Sequence, residues 1–194
     1  HDIAYRHGFD EPAGNFQLVN RTGQGLGGDP VTAVAQSTLA FNNAFMATPP
    51  DGQSPQLVMG QFFSAAGVRD TAFDGTIITH EFTHGISDRL TGGPANTSAL
   101  NALQSAGMAE GWSDWFSLLV TMKPTDTATT PRTTGQWVLG QPLNGPGVRR
   151  FPYSFDMSID PLTLANYNGD LFPQQNNTEV HNAGEIWASA LWDL

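Results

Sequence analysis

"ITHEFTHGISDRL", Ile78 to Leu90, holds two of the chain's five histidines four residues apart, with a glutamate directly after the first. On an α-helix, positions four apart differ by about 40° around the axis, so His80 and His84 leave one face and can meet at one cation. Glu81 is turned from His80 by about 100°, close enough to approach a water beside that cation without binding the cation itself. Ile78, Phe82 and Ile86 fall roughly opposite and predict a single apolar stripe. The pattern is HExxH, two imidazoles for a divalent metal with a carboxylate placed as general base. Two solvated helix histidines would give the same letters, so the reading turns on a third donor.

"GMAEGWSDW", Gly107 to Trp115, offers one. Glu110 and Asp114 share a helix face, and Met108, Trp112, Trp115, Phe116, Leu118, Leu119 and Val120 predict that the helix is largely buried by its large apolar side chains. Burying two carboxylates there is costly unless cations or hydrogen-bond donors meet them. A zinc ion on Glu110, and the second ring N–H of a ligating histidine on Asp114, would meet both costs.

Composition narrows the remaining choices. A length of 194 residues suits one domain with a real core. Eighteen acidic against eight basic side chains give a net charge of −10, so no basic stripe is available for nucleic acid. Lys123 is the only lysine, which argues against an anionic membrane as partner, and no apolar run approaches the ~20 residues of a bilayer span. Without cysteine, any metal is held by nitrogen and oxygen. A start at His1 reads as a processed or excised piece, so a missing signal peptide leaves secretion open.

Along the chain, the opening residues predict a short helix ending at Gly8 and a turn at Glu11-Pro12. "TGQGLGGDP" (Thr22 to Pro30) lacks GxxxxGK[ST] and reads as a connection. A strand is expected over Gln56–Phe63, and helices over Thr76–Leu90, Ala106–Met122 and Glu179–Leu194. Thr125 to Pro173 is rich in turn residues. "YNGD" (Tyr167 to Asp170) has oxygen donors without a calcium-loop pattern, and sequons stand at Asn20, Asn96 and Asn176.

HExxH followed by E-x-x-x-D on a later helix resembles the thermolysin-like clan of metallopeptidases. More narrowly, "HEFTHGISDRLTGGPANTSALNALQSAGMAEGWSDWF" is similar to the fungalysin family of secreted zinc endopeptidases. The likeness extends to "HDIAYRHGFDEPAGNFQ", "NNAFMATPPDGQ" and "EVHNAGEIWASALWDL". It implies an α+β zincin fold, with a small irregular sheet and a mostly helical second lobe. Residues 1–194 would form one truncated catalytic domain. Residues 1–90 would be an upper part with the edge strand and HExxH helix, and 91–194 the mainly helical part.

By the same resemblance His80, His84 and Glu110 would hold Zn²⁺, Glu81 would be the catalytic base and Asp114 would orient His80. His181 would donate to the oxyanion, while Asn43 (side-chain amide) and Ala44 (backbone) would bind substrate. Substrates would be proteins or peptides, the location extracellular, and an inhibitory propeptide would accompany the full-length precursor. Two departures stand out. No Tyr lies between His84 and Glu110 to serve the oxyanion, leaving Tyr153 and Tyr167 unassigned. Near His181, where the clan has an Asp, stand Asn176, Asn177 and Glu179. Arg149 and Arg150 are candidates for substrate carbonyls. Because family domains are longer at both ends, the alternative is a zinc-binding fragment that is catalytically weak or inactive.

Overall fold

A computed structural model describes residues 1–168 and 179–194. Gly169 and Asp170 of "YNGD", the asparagines at 176 and 177, and the sequon that begins there lie outside the described residues. The architecture is α+β: a small mixed sheet with helices packed against it and against one another.

Four strands build the sheet: β1 (Thr32–Ser37), β2 (Ala44–Ala47), β3 (Gln56–Ser64) and β4 (Gly67–Asp70). β3 is central and matches the expected strand with one residue added. β1 runs parallel to it on one side and β2 antiparallel on the other, while its second half turns back into β4. The irregularity expected of the sheet is present, since the β1–β3 register shifts between Val34 and Ser37. Gly60 of β3 allows the chain at residues 40–43 to cross closely, because a Cβ there would lie 1.6 Å from the Ala40 carbonyl oxygen. Asn42, at φ 49°, fastens that crossing: its amide donates to Gln61 O and its Oδ1 accepts from Phe63 N at 2.7 Å. Asparagine tolerates this left-handed backbone.

The helices are α1 (Asp2–Arg6), α2 (Gly75–Thr91), α3 (Leu103–Val120), the short α4 (Gln136–Leu139) and α5 (Val180–Trp192). The Asp74 carboxylate caps α2 by accepting from Thr76 N at 3.1 Å. α2 lies against the sheet, where Ile77 joins Ala44, Leu57, Met59 and Val138, while Ile86 joins Ala4, Phe9 and Phe16. The single apolar stripe expected for α2 is corrected here. Ile78 and Phe82 are only half-buried, whereas Ile77, Thr83, Gly85, Ser87 and Arg89 are buried, because packing encloses the helix on several sides.

Arg89 is fully buried near the end of α2. Its guanidinium donates to the carbonyls of Pro49, Gly14 and Gln53 and to the carboxylates of Asp29 (3.2 Å) and Asp51 (3.3 Å). It also lies over the Phe16 ring, its Cζ 5.2 Å from the ring centroid, within the ~6 Å reach of a cation–π contact.

α3 also departs from expectation. Its buried positions are mainly small, Gly107, Ala109, Gly111, Ser113 and Ser117 with Leu118, while Leu119 and Val120 are exposed. The reason is the seam with α5. A Cβ on Gly111 would come within 2.5 Å of the Trp187 Cβ, and one on Gly184 within 2.6 Å of the Glu110 Cβ. The two backbones touch, so the large side chains are displaced to the rim.

Candidate metal centre

α2 and α3 bring together the three residues that the sequence separated. His80 Nε2 lies 3.1 Å from His84 Nε2 and 3.1 Å from Glu110 Oε2, and His84 Nε2 lies 3.6 Å from the same oxygen. Donors about 2.0–2.2 Å from a tetrahedral zinc stand about 3.3–3.6 Å apart, so this triangle, with edges of 3.1–3.6 Å, is close to the size one such ion requires. His80 Nδ1 donates to Asp114 Oδ1 at 2.7 Å, which commits that nitrogen's hydrogen and turns Nε2 toward the triangle. Three such donor atoms facing one point, one of them a carboxylate oxygen, suit a cation between them. The donor set, two imidazoles and one carboxylate with no thiolate, fits zinc.

Asp114 is held from several directions. Besides His80, its oxygens accept from Thr134 Oγ1 (3.1 Å), Arg149 Nη2 (2.8 Å), Arg149 Nε (2.5 Å) and the Tyr153 hydroxyl. Burial opposes its ionisation, but the charges of Arg149 and His80 and their hydrogen bonds hold its pKa well below the usual carboxylate range. Burial beside that anion pushes the Tyr153 hydroxyl well up, so it remains a donor. Glu110 is half-buried, which opposes its ionisation, but His80 and His84 outweigh that and keep its pKa low.

His80 of the triangle lines a cleft of about 460 Å³ together with Asn43, Ala44, Glu81, Arg149, Glu179 and His181. His181 Nε2 stands 3.4 Å from Glu110 Oε2. Its Nδ1 meets Glu179 Oε1 at 2.6 Å, and the same Glu179 carboxylate caps α5 by accepting from His181 N (3.2 Å) and Asn182 N (2.7 Å). The Glu179 bond raises the His181 pKa against the effect of burial. Burial disfavours a charged Glu179, yet the bonds from His181 and Asn182 bring its pKa down to about 2. Glutamate is outside the usual set of N-cap residues, so its double role had no signal in the sequence.

Ala44 opens β2 and pairs with Met59, and among the described residues no strand pairs with the other edge of β2. Arg149 and Arg150 both line the cleft, but neither is aimed wholly into it. Arg149 forks onto Asp114, while Arg150 pairs with Glu185 and donates to Asn182 O at 2.8 Å. Tyr153 lies behind Asp114, buried, and away from the cleft lining.

Two rings from one helix, a carboxylate from the next, and a second carboxylate holding the first ring are the arrangement that defines the HExxH-plus-glutamate class of metallopeptidases. Over its whole length, residues 1–194, the chain matches the family model described as fungalysin metallopeptidase (M36). The chain belongs to that family. Extracellular metalloproteinase 1 of Arthroderma otae is 46% identical over 194 residues, covering all of this chain and 29% of that protein. Extracellular metalloproteinase mep of Aspergillus fumigatus is 44% identical over 195 residues and Extracellular metalloproteinase 2 of Phaeosphaeria nodorum 43% over 194, each with the same coverage. The chain thus spans less than a third of the length of the curated relatives it matches.

Proposed function

We propose that this chain carries the catalytic centre of an extracellular zinc endopeptidase acting on proteins or peptides, with Zn²⁺ held by His80, His84 and Glu110. The observation that supports this most is the convergence of His80 Nε2, His84 Nε2 and Glu110 Oε2 within 3.1–3.6 Å of one another. Zinc, when bound, supplies Lewis acidity to a water and to the scissile carbonyl. Glu81, at the cleft wall, takes the proton of the attacking water and passes it to the departing amine. His181, its Nδ1 held by Glu179, presents Nε2–H to the oxygen on which negative charge develops, a donor worth about 3 kcal/mol. The peptide extends along the open edge of β2, where the Ala44 backbone and the Asn43 amide receive it. Asp114 fixes the ring of His80. An inhibitory propeptide in the longer precursor belongs to the same reading.

The first test is a quenched-peptide assay with and without a strong chelator. Activity should vanish on chelation and return with zinc, and His84→Ala should lose the metal by elemental analysis. Hydrolysis that ignores the chelator would sink the reading, and stoichiometric zinc in the variant would remove His84 from the donor set. A zinc-loaded chain that leaves every peptide intact would favour the inactive-fragment alternative.

Zinc affinity should also rise with pH. In the metal-free chain burial favours a neutral His80 ring, but the charge of Asp114 and the bonds to Asp114 and Glu110 raise its pKa to about 10. Below that pH the ring carries a proton on Nε2, the nitrogen that zinc would take. Binding must release that proton, so apparent affinity should climb about tenfold per pH unit through the neutral range. Calorimetry in buffers of different ionisation enthalpy counts the proton; none released would contradict this account of His80.

A further inference from the structure

Five hydrogen bonds to one carboxylate are more than Asp114 needs merely to hold the His80 ring. The donors differ in where they come from. Arg149 and Thr134 both line the cleft, and Arg149 follows Gly145 and Gly147 in an irregular segment. Tyr153 does not line the cleft. It is 1% exposed, its ring packs with Leu118 and Ala188, and its backbone exchanges two hydrogen bonds with Arg132 at 3.0 and 2.7 Å. A carboxylate turns readily about its Cβ–Cγ bond, so what fixes its plane is the position of both oxygens. Tyr153 and Arg149 Nε share Oδ2; Thr134 and Arg149 Nη2 share Oδ1 with His80.

We propose that Tyr153 is a positioning residue for the metal centre: its hydroxyl pins Asp114 Oδ2 from the core, so that Oδ1 stays on His80 Nδ1 even when Arg149 responds to a peptide in the cleft. Arg149 alone would couple the two events. A guanidinium drawn toward a bound carbonyl would drag the Asp114 carboxylate, and the His80 ring with it. With Oδ2 held from behind, the zinc ligand keeps its aim while the cleft wall moves. The role assigned to Tyr153 rests on the zinc reading given above.

Tyr153→Phe keeps the ring in the core and removes one oxygen, and Asp114 retains its other four hydrogen bonds, so the variant is expected to fold. Zinc affinity, measured by competition with a chromophoric chelator, should fall by about fivefold to tenfold, no more than the lower end of what losing a ligand's own partner costs, since Tyr153 acts on His80 through Asp114. kcat should fall with KM little changed. Thermal melting of the metal-free protein supplies the control. A bond that serves stability alone would lower that melting temperature and leave zinc affinity where it was, because it would contribute equally with and without metal. Zinc affinity within twofold of the wild type, or tighter, would overturn the proposal.

Thr134→Val provides a second arm, independent of how the tyrosine variant behaves. It removes a hydroxyl from the same carboxylate on the cleft side and should change zinc affinity by less than about threefold, since Tyr153 still pins Oδ2. A tenfold loss there would show that the core-side bond does not fix Asp114. Failure of the wild-type chain to bind zinc would be a failure of the peptidase reading itself, distinguishable from a wild type that binds and a Phe variant that matches it.

Discussion

Glu81→Gln is expected to lower peptide turnover by about 10²–10⁴-fold while leaving zinc bound at full stoichiometry. The two halves of this outcome have separate causes. Glu81 is not one of the three donors that converge, so an amide in its place takes nothing from the metal triangle. Its side chain lines the cleft beside His80, where water and substrate would meet. Glutamine matches the shape of glutamate and lacks a group that can accept and return a proton at neutral pH. Loss of turnover with metal retained therefore isolates proton transfer from metal binding. Near-normal hydrolysis would remove Glu81 as the base, and lost zinc would mean that the side chain supports the triangle.

Arg89→Met should destabilise the fold by about 3–5 kcal/mol in urea unfolding. Arg89 and Asp29 are both fully buried, and Asp51 is nearly so. Methionine can fill much of the same space but leaves two carboxylates without their cation and three carbonyls without their donor. The deficit should depend on pH. Burial raises the pKa of Asp29 above its ordinary value, against the bond from Arg89. A carboxyl whose folded pKa is raised favours folding at low pH and loses that contribution as pH rises through the raised value. Removing Arg89 enlarges the rise, so the gap between wild type and variant should narrow as pH falls from 7 towards 4. A difference below about 1 kcal/mol would mean that Arg89 is a replaceable strut.

How much of this was legible depended on whether an interaction was local in sequence. The three long helices carried their own signals and fell within three residues of expectation. HExxH and E-x-x-x-D each place their groups one turn apart, and the cost of burying carboxylates at Glu110 and Asp114 links the two motifs from sequence alone. β1 and the four-residue strands β2 and β4 are defined by pairing with β3, not by alternation; most of β1 is exposed, so no pattern marks it. The buried face of α3 is hidden from sequence because glycines, not its large apolar residues, occupy the interior against α5. The hold on Asp114 comes from Thr134, Arg149 and Tyr153, 20 to 39 residues away in a segment rich in turn residues with only short apolar pieces. Nothing in that composition says where its side chains return.

The acceptors of Arg89 lie 36, 38, 40, 60 and 75 residues earlier in the chain. Closing loops of such length costs entropy well before the contacts return it, which delays their formation during folding. The contacts that seat the helix carrying both imidazoles are therefore expected to form late. On the proposed zinc reading, a metal arriving before those loops close would meet one turn of paired histidines without the third donor, Glu110.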